Sequence, residues 1–316
     1  MHRITILTLI LTTAASAQLL VLNKEGTVAL VDPGTRKVLG KGPTGEGPHE
    51  VVATGDGKLA VASNYGTGPS PGHTLSVIDL ATFKEIHRVD LSPMTRPHGL
   101  FAAEGKVYFT CEGSKTIGRY DPATNRVDWI LGTGQDGTHM VALSRDGKWI
   151  FTSNIASASI SIFEYTNDWH QTVVKVGAGV EGFDLSPDEK ELWAANAADQ
   201  TISIVDTAGR KVTQTFPVTS RRTNRLKFTP DGKRVLLSDI TSGDLVVIDV
   251  ASRKEIKRIK IGSSIAGILV PPNGSKAYVA ATPDNYVGEV DLKTLEMVAK
   301  ISTGNGPDGM DWIGTR

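Results

Sequence analysis

The sequence contains a single cysteine, which excludes an internal disulfide and leaves no set of thiols for a zinc knuckle or an iron–sulfur cluster. It has no CxxCH run, so covalently attached c-type haem is not expected. Basic and acidic side chains number 34 each, and this zero net charge argues against nucleic acid as a partner. Beyond the N-terminus, no apolar run is long enough to span a membrane. Glycine is abundant, with 33 residues in 316, which suits a fold with many tight turns.

The N-terminus has the three parts of a secretory signal peptide. A basic start at Arg3 precedes a short apolar run over residues 4–11, and an Ala-Ser-Ala pattern ends at Ala17. We therefore predict a signal peptide over residues 1–17, a mature chain over residues 18–316, and export to the periplasm or beyond. An uncleaved anchor is the alternative, although the apolar run is too short to cross a bilayer.

A unit of about 42 residues repeats along the mature chain. Each copy contains a turn of the Asp-Gly type, and the residue seven positions before that turn marks the unit (six in the second copy). The markers are 41–43 residues apart, except for a first step of 49 that contains an expansion over residues 66–73. The markers are His49, His98, His139, Glu181, Asn224, Ala266 and Asp308.

A second marker has the same period. An acidic residue closes the third apolar run of each unit, as expected where a short carboxylate accepts backbone N–H groups in a tight turn. These residues are Asp32, Asp79, Asp121, Glu164, Asp206, Asp249 and Asp291.

Each unit contains four short β-rich runs, and four strands at this period predict one blade of a β-propeller. In the fourth copy the runs cover residues 182–185, 191–194, 201–205 and 212–216. Residues 18–41 supply the last three strands of a blade, and residues 309–313 supply a first strand. We therefore predict an all-β, single-domain, seven-bladed propeller of four-stranded antiparallel blades, closed by its two ends. An open solenoid would need capping repeats, which the sequence does not show.

Three segments of the repeat carry a family resemblance: Ser-Pro-Asp at 186–188, Trp-Ala-Ala-Asn at 193–196 and Thr-Ile-Ser-Ile-Val-Asp at 201–206. With them, essentially the whole mature chain resembles the YVTN-repeat β-propeller family, which implies the fold and leaves the function open. Pro-His at 48–49 and Asn-Tyr-Gly at 64–66 are also similar to the seven-bladed lactonase family. The tryptophan-docking pattern of quinoprotein propellers is not evident, so no quinone cofactor such as PQQ is expected.

In this topology, the loop before strand one and the loop after strand two lie on the same face, around the central channel. The seven repeat markers would form an inner ring, in which three consecutive blades contribute histidine and the fourth contributes glutamate. The residues after strand two would form a second ring. Its predicted members are Asn23, Asn64, Glu112, Asn154, Asn196, Asp239 and Thr282.

Histidine is the commonest metal ligand and the usual proton carrier near neutral pH. His49, His98 and His139 with an open fourth position predict a site for a divalent metal, either zinc or an ion of the calcium and magnesium class. Glu181 would act as general base on a metal-bound water or as a fourth ligand. Without metal, His98 or His139 paired with Glu181 would still provide acid–base catalysis. The structural alternative is that these histidines only hydrogen-bond a neighbouring blade.

Further residues are candidates for substrate binding. Arg96, close to His98, and Arg222, close to Asn224, would present positive charge to a carboxylate or phosphate group. The other candidates come from the 66–73 expansion and from the second ring. They are His73, Asn64, Asn154 and Asn196. The alternatives are a solvated basic loop for the arginines and a turn preference for the asparagines.

Two functions are consistent with this pattern. One is an exported hydrolase or lyase, of lactonase type, that acts on a small anionic or sugar-derived compound. The other is a non-catalytic propeller that binds a ligand or a protein partner, since fold alone does not define function. The asymmetry of the inner ring favours a small-molecule pocket over a symmetric docking platform, and we expect a monomer.

Overall fold

The computed structural model describes residues 17–165 and 170–314. The predicted signal peptide lies outside the described residues, apart from Ala17. The described residues form seven four-stranded antiparallel sheets, which confirms the predicted seven-bladed β-propeller. Over those ranges, no helix is long and apolar enough to cross a membrane.

The strands follow one another in chain order, beginning with three strands of blade 7. These are β1 (Gln18–Asn23), β2 (Thr27–Asp32) and β3 (Lys37–Pro43). Blade 1 contains β4 (Pro48–Ala53), β5 (Leu59–Gly66), β6 (Pro71–Asp79) and β7 (Lys84–Asp90). Blade 2 contains β8 (Pro97–Ala103), β9 (Lys106–Cys111), β10 (Thr116–Asp121) and β11 (Arg126–Gly132). Blade 3 contains β12 (Thr138–Leu143), β13 (Trp149–Asn154), β14 (Ser159–Glu164) and β15 (Gln171–Lys175).

The second half of the chain repeats this arrangement. Blade 4 contains β16 (Val180–Leu185), β17 (Glu191–Asn196), β18 (Thr201–Asp206) and β19 (Lys211–Pro217). Blade 5 contains β20 (Thr223–Phe228), β21 (Arg234–Asp239), β22 (Asp244–Asp249) and β23 (Lys254–Lys260). Blade 6 contains β24 (Ile268–Leu269), β25 (Lys276–Ala281), β26 (Tyr286–Asp291) and β27 (Glu296–Ile301), and β28 (Pro307–Ile313) follows. Short 3₁₀ turns, Glu112–Ser114 and Thr282–Asp284, follow β9 and β25.

The seventh blade joins the two ends of the propeller. β28 pairs with β1, with Gln18 opposite Ile313 and Asn23 opposite Pro307. The predicted closure is therefore confirmed. Closing the ring by strand pairing removes the open edges that an unclosed array of blades would expose.

The apolar core lies between neighbouring blades. The central strands are buried on both faces because each blade stacks on the next one. Trp193 of blade 4 is fully buried and packs edge-on against Phe228 of blade 5, with ring centroids 5.3 Å apart. The guanidinium of Arg253, also from blade 5, lies 4.7 Å from the same ring. These contacts place the tryptophan in the packing between the two blades.

Aspartates that close the third strands hold the outer turns. Asp291 Oδ1 accepts hydrogen bonds from the backbone N–H groups of Lys293 and Thr294, at 2.8 and 3.0 Å. The Thr294 bond, with further help from the Lys276 ammonium, lowers the pKa of Asp291 to about 2. The pKa is also lowered at the equivalent residues Asp32, Asp79, Asp121 and Asp249.

We expect acid to weaken the fold through these turns. Because the turn carboxyl groups have lower pKa values in the folded chain, the unfolded chain binds more protons between about pH 4 and pH 2. Their contribution is complete above the unfolded pKa and is lost as the pH falls through the folded values. Denaturant unfolding at pH 5, 4 and 3 should give a steadily falling free energy of unfolding, with a shallower fall in Asp291→Asn. A free energy that does not change over this range would contradict the prediction.

Candidate functional site

The inner-ring residues lie at irregularities in the first strands. In blade 3 the register between β12 and β13 shifts between Thr138 and Val141, so His139 falls in a β-bulge. A bulge takes residues out of the hydrogen-bond ladder and re-aims their side chains. Equivalent shifts enclose the markers His49, His98, Glu181, Asn224 and Asp308.

Hydroxyl groups on the second strands support the bulges and connect the blades. Ser63 Oγ donates to the backbone carbonyl of His98 in the next blade at 2.8 Å. Thr110 Oγ1 accepts from the N–H of Gly99 at 2.9 Å and donates to the carbonyl of His139 at 2.5 Å. A Cβ at Gly99 would lie 2.5 Å from that same carbonyl oxygen, so glycine permits the close approach of the two blades. These contacts between neighbouring blades therefore fix the spacing between the ring residues.

The bulges surround a cavity of about 560 Å³ at one mouth of the channel. All seven predicted inner-ring residues line it, so the repeat markers do converge in space. The lining includes the three histidines and the carboxylates of Glu112, Glu181 and Asp308. It also includes the apolar side chains of Ile155, Ile240, Ala266 and Pro283. The size suits a small organic molecule.

The second ring differs from the prediction in blades 2 and 6, where Glu112 and Thr282 each lie one residue beyond the position that Asn64 has in blade 1. The β8–β9 turn of blade 2 is short, and strand pairing places Cys111, not Glu112, at the position that Asn64 has in blade 1. Glu112 therefore corresponds to Tyr65. This later position is the one that faces the cavity. Its cavity-lining members are Lys24, Tyr65, Glu112, Ile155, Ile240 and Thr282.

The asparagines of the predicted second ring face their own blades. The Asn64 amide donates to the hydroxyls of Thr74 and Ser76, each at 2.9 Å. Asn154 and Asn196 make comparable bonds to hydroxyls on the third strands of their blades. All three asparagines are at most 2% exposed, and none lines the cavity. In the structure these amides therefore close blade loops and do not form part of the cavity wall.

The 66–73 expansion extends a hairpin, and none of its residues lines the cavity. Gly66 pairs with Pro71, so β5 and β6 continue beyond the usual blade length. His73 is exposed on β6 and does not line the cavity. The structure therefore does not place His73 beside the predicted pocket, because the expansion lengthens the hairpin of β5 and β6.

The two arginines predicted to bind substrate lie at the rim. The guanidinium of Arg96 lies 5.0 Å from the ring centroid of Tyr65. Arg222 has a side chain that is 60% exposed, and its Nη2 lies 3.9 Å from the carboxylate of Glu181. Glu181, the predicted base, lines the cavity and accepts a hydrogen bond from Asn224 at 2.7 Å. Neither arginine lines the cavity itself, so both place positive charge outside its lining.

Two histidines and a glutamate meet in the wall of the cavity. Potential ligand atoms of His98, Glu112 and His139 all lie within 4.8 Å of one another. His139 Nδ1 is hydrogen-bonded to Glu112 Oε1, and the hydroxyl of Tyr65 donates to Glu112 Oε2 at 2.5 Å. The His98 and His139 rings have centroids 3.8 Å apart. The sequence had placed Glu112 in the second ring without a chemical role.

The carboxyl group of Glu112 favours its ionised form within this cluster. Burial alone would raise the pKa of Glu112, but the hydrogen bonds and charges of its neighbours, His139 foremost and then Tyr65, outweigh burial and lower it. Burial, followed by the hydrogen bond to Glu112, raises the pKa of Tyr65 to about 12, so the phenol remains a donor. Within the described part of the chain, no lysine or arginine forms an ion pair with Glu112.

His49 belongs to a second chain of contacts. Lys24 Nζ lies 2.7 Å from the Asp308 carboxylate and 3.3 Å from His49 Nε2. His49 Nδ1 in turn lies 3.2 Å from His98 Nε2. Burial, and then the charge of Lys24, lower the pKa of His49 to about 4. Burial and the neighbouring histidines lower the pKa of His98 well below its usual value, so both imidazoles are neutral at pH 7.

A buried ion pair crosses the channel next to the cavity. Arg225 Nη2 donates to Glu50 Oε1 at 2.5 Å and so links blade 5 to blade 1. The two side chains are 8% and 11% exposed. Arg225 lines both the mouth cavity and a second cavity that Glu50 also lines. The Arg225 side chain is therefore shared by the linings of the two cavities.

The residues that could hold a metal ion are His98, Glu112 and His139. Two imidazoles and one carboxylate are the protein ligands of many catalytic zinc sites. His98 Nδ1 and His139 Nε2 are buried and have no hydrogen-bond partner among the described residues, which is unusual for buried nitrogen atoms. His49, a predicted ligand, is outside this group because its ring nitrogens contact Lys24 and His98. The donor set thus includes a carboxylate in place of the third predicted histidine.

Comparisons with known proteins agree with the fold. A family model described as YNCE-like beta-propeller matches residues 104–275, which is more than half of the chain. No curated protein matches the sequence.

Solved structures with the same architecture include hydrazine synthase of Kuenenia stuttgartiensis. It has a TM-score of 0.77 and 18% identity, covering 87% of this chain and 92% of that chain. Two propellers from Bacteroides uniformis and Bacteroides fragilis are each described as a putative 6-phosphogluconolactonase. Both have TM-scores of 0.78, with 15% and 14% identity, and they cover 94% and 96% of this chain and 99% of their own. At these identities the likeness shows the fold alone.

Proposed function

This chain belongs to the YNCE-like β-propeller family, and we propose that its channel mouth is a metal-dependent hydrolytic site for a small lactone or related compound. The observation that carries the proposal is the meeting of His98, Glu112 and His139 in the wall of a cavity that Glu181 also lines. The shared fold with propellers named as lactonases supports this substrate class.

The cluster has the features of a supported metal site. When bound there, a divalent ion would supply a Lewis acid and would lower the pKa of a coordinated water toward 7. His98, His139 and Glu112 would hold the ion. Tyr65 fixes one oxygen of Glu112, and the other oxygen bonds to the His139 ring. Hydrogen bonds of this kind orient metal ligands and tune their basicity.

The remaining cavity residues suit a small polar substrate. Glu181 would take up a proton, because its carboxylate lines the cavity and is bonded to the neutral amide of Asn224. Apolar residues of the lining, such as Ile155 and Ile240, would contact the carbon skeleton. Arg96 and Arg222 would attract an acidic group toward the mouth. Export, which the N-terminal sequence predicts, is part of the same proposal.

Turnover of lactones by metal-loaded protein tests this function. We expect zinc- or manganese-loaded protein to hydrolyse glucono-δ-lactone or another small lactone above the uncatalysed rate, as measured by acid release in a pH-stat. Glu181→Gln should lower kcat by about 10²-fold, since a general base contributes at least that much. Glu164→Gln, which alters a carboxylate outside the cavity, is the control. Unchanged turnover in Glu181→Gln would remove this residue from the mechanism.

A non-catalytic binding role is the alternative. Two ion pairs within the protein favour this role, because they already neutralise charged groups at the cavity. They are Lys24 with Asp308 and Arg225 with Glu50. A rigid cavity of this kind would bind a ligand and release it unchanged. Metal-loaded protein that binds lactones in calorimetry without hydrolysing any of them would support this role over the hydrolytic one.

A further inference from the structure

Lys24 occupies a place from which it can control the protons of two histidines. Its ammonium lies between the Asp308 carboxylate, at 2.7 Å, and His49 Nε2, at 3.3 Å. An ammonium group has three hydrogen-bond donors and no acceptor. His49 Nε2 must therefore accept, which requires a lone pair on that atom.

The position of the proton on His49 determines the position of the proton on His98. With a lone pair on Nε2, neutral His49 carries its proton on Nδ1, and this N–H donates to His98 Nε2 at 3.2 Å. His98 Nε2 is then an acceptor, so its own proton is on Nδ1. That atom is buried and has no partner among the described residues. In His139 the arrangement differs, because its Nδ1 proton is directed to Glu112 and its Nε2 keeps a free lone pair.

We propose that Lys24 is a positioning residue that holds His49 and His98 as Nδ1–H tautomers and thereby weakens metal binding at the cluster. In the metal-free protein, His98 then offers an N–H where an ion requires a lone pair. His139 instead keeps a lone pair on its unpaired Nε2. Lys24 and Glu112 thus give the two neighbouring imidazoles opposite protonation at their unpaired nitrogen atoms.

Metal binding through His98 Nδ1 would have to reverse this chain. The His98 proton would move to Nε2 and donate to His49 Nδ1, and His49 would then carry its proton on Nε2. That N–H would face the Lys24 ammonium, so two donors would meet. Lys24 must withdraw toward Asp308 for the ion to bind, and this links metal affinity to the Lys24 position. The metal part of this inference rests on the proposed function, whereas the tautomer part does not.

Histidine tautomers in the metal-free protein provide the first test. Two-bond ¹H–¹⁵N correlation spectra distinguish protonated from unprotonated ring nitrogens. We expect Nδ1–H for His49 and His98 in the wild type, and also in Asp308→Asn, which keeps the ammonium. In Lys24→Met/Asp308→Asn, His98 should change to Nε2–H. The second substitution prevents an unpaired buried carboxylate from being left behind.

Metal affinity provides the second test. Zinc titration should show binding to Lys24→Met/Asp308→Asn that is about tenfold tighter than to Asp308→Asn, the order expected for a change outside the ligands themselves. An Nε2–H tautomer of His49 in the wild type would overturn the inference, and this measurement needs no variant. An unchanged His98 tautomer without Lys24 would also overturn it. A changed tautomer with unchanged zinc affinity would overturn the link to metal alone, and absence of zinc binding would count against the proposed function while leaving the tautomer result intact.

Discussion

Replacing His98 and His139 together by alanine should lower the affinity for a divalent metal by more than about 10⁴-fold. The two imidazoles supply two of the three donor atoms grouped within 4.8 Å. Loss of a group outside the metal ligands already costs about 10–100-fold in affinity, so the loss of two ligands must cost more. Isothermal titration with Zn²⁺, together with the absorption spectrum of the Co²⁺-loaded protein, would measure the change.

Suitable controls separate ligand loss from unfolding. His87→Ala/His170→Ala removes the same number of imidazoles from exposed positions away from the cavity and should bind metal as the wild type does. Because His98 and His139 are buried, Glu112→Gln serves as a second variant of nearly unchanged volume. It should also lose metal affinity, since the amide carries no charge. Wild-type affinity in the double histidine variant would show that these residues do not bind the ion.

Replacing Arg225 by methionine should lower the free energy of unfolding by about 3–5 kcal/mol. The substitution leaves the carboxylate of Glu50 buried without its partner, and an uncompensated buried charge is costly. Arg88→Met is the control, because it breaks an ion pair with Glu85 that is far more exposed and is worth about 1 kcal/mol or less. Denaturant unfolding at pH 7 would measure both effects.

The double variant Glu50→Leu/Arg225→Met tests the cause. Removing both charges leaves no unpaired group, so most of the lost stability should return. A double variant as unstable as Arg225→Met would mean that the arginine acts through packing instead of through its charge.

The inner ring was predictable because the chain repeats one supersecondary unit. A constant spacing between a marker and its Asp-Gly-type turn assigns every copy to the same place in a blade, so His49, His98 and His139 had to meet around the channel. Closure by residues at both ends followed from the same count. The β-bulges that aim these side chains inward were not predictable, since a bulge depends on pairing with the next strand.

The chemistry of the cluster depends on a turn length and on side-chain contacts that the repeat spacing does not show. Because the β8–β9 turn of blade 2 is short, Glu112 does not align with Asn64, which closes its blade loop. It aligns with Tyr65, which faces the cavity. The strand pairing identifies the cavity-facing position of Glu112, whereas the spacing from the turn does not. The contacts of Glu50 with Arg225 and of Lys24 with Asp308 join distant parts of the chain, and no spacing rule predicts them.

The metal content of the wild-type protein tests the central claim most directly. Purified protein would be stripped with a chelator, dialysed to equilibrium against micromolar Zn²⁺, and analysed by inductively coupled plasma mass spectrometry. We predict one ion per chain, reduced to background in His98→Ala/His139→Ala. Wild-type protein that retains no ion beyond the level of that variant would contradict the assignment of His98, Glu112 and His139 as a metal site.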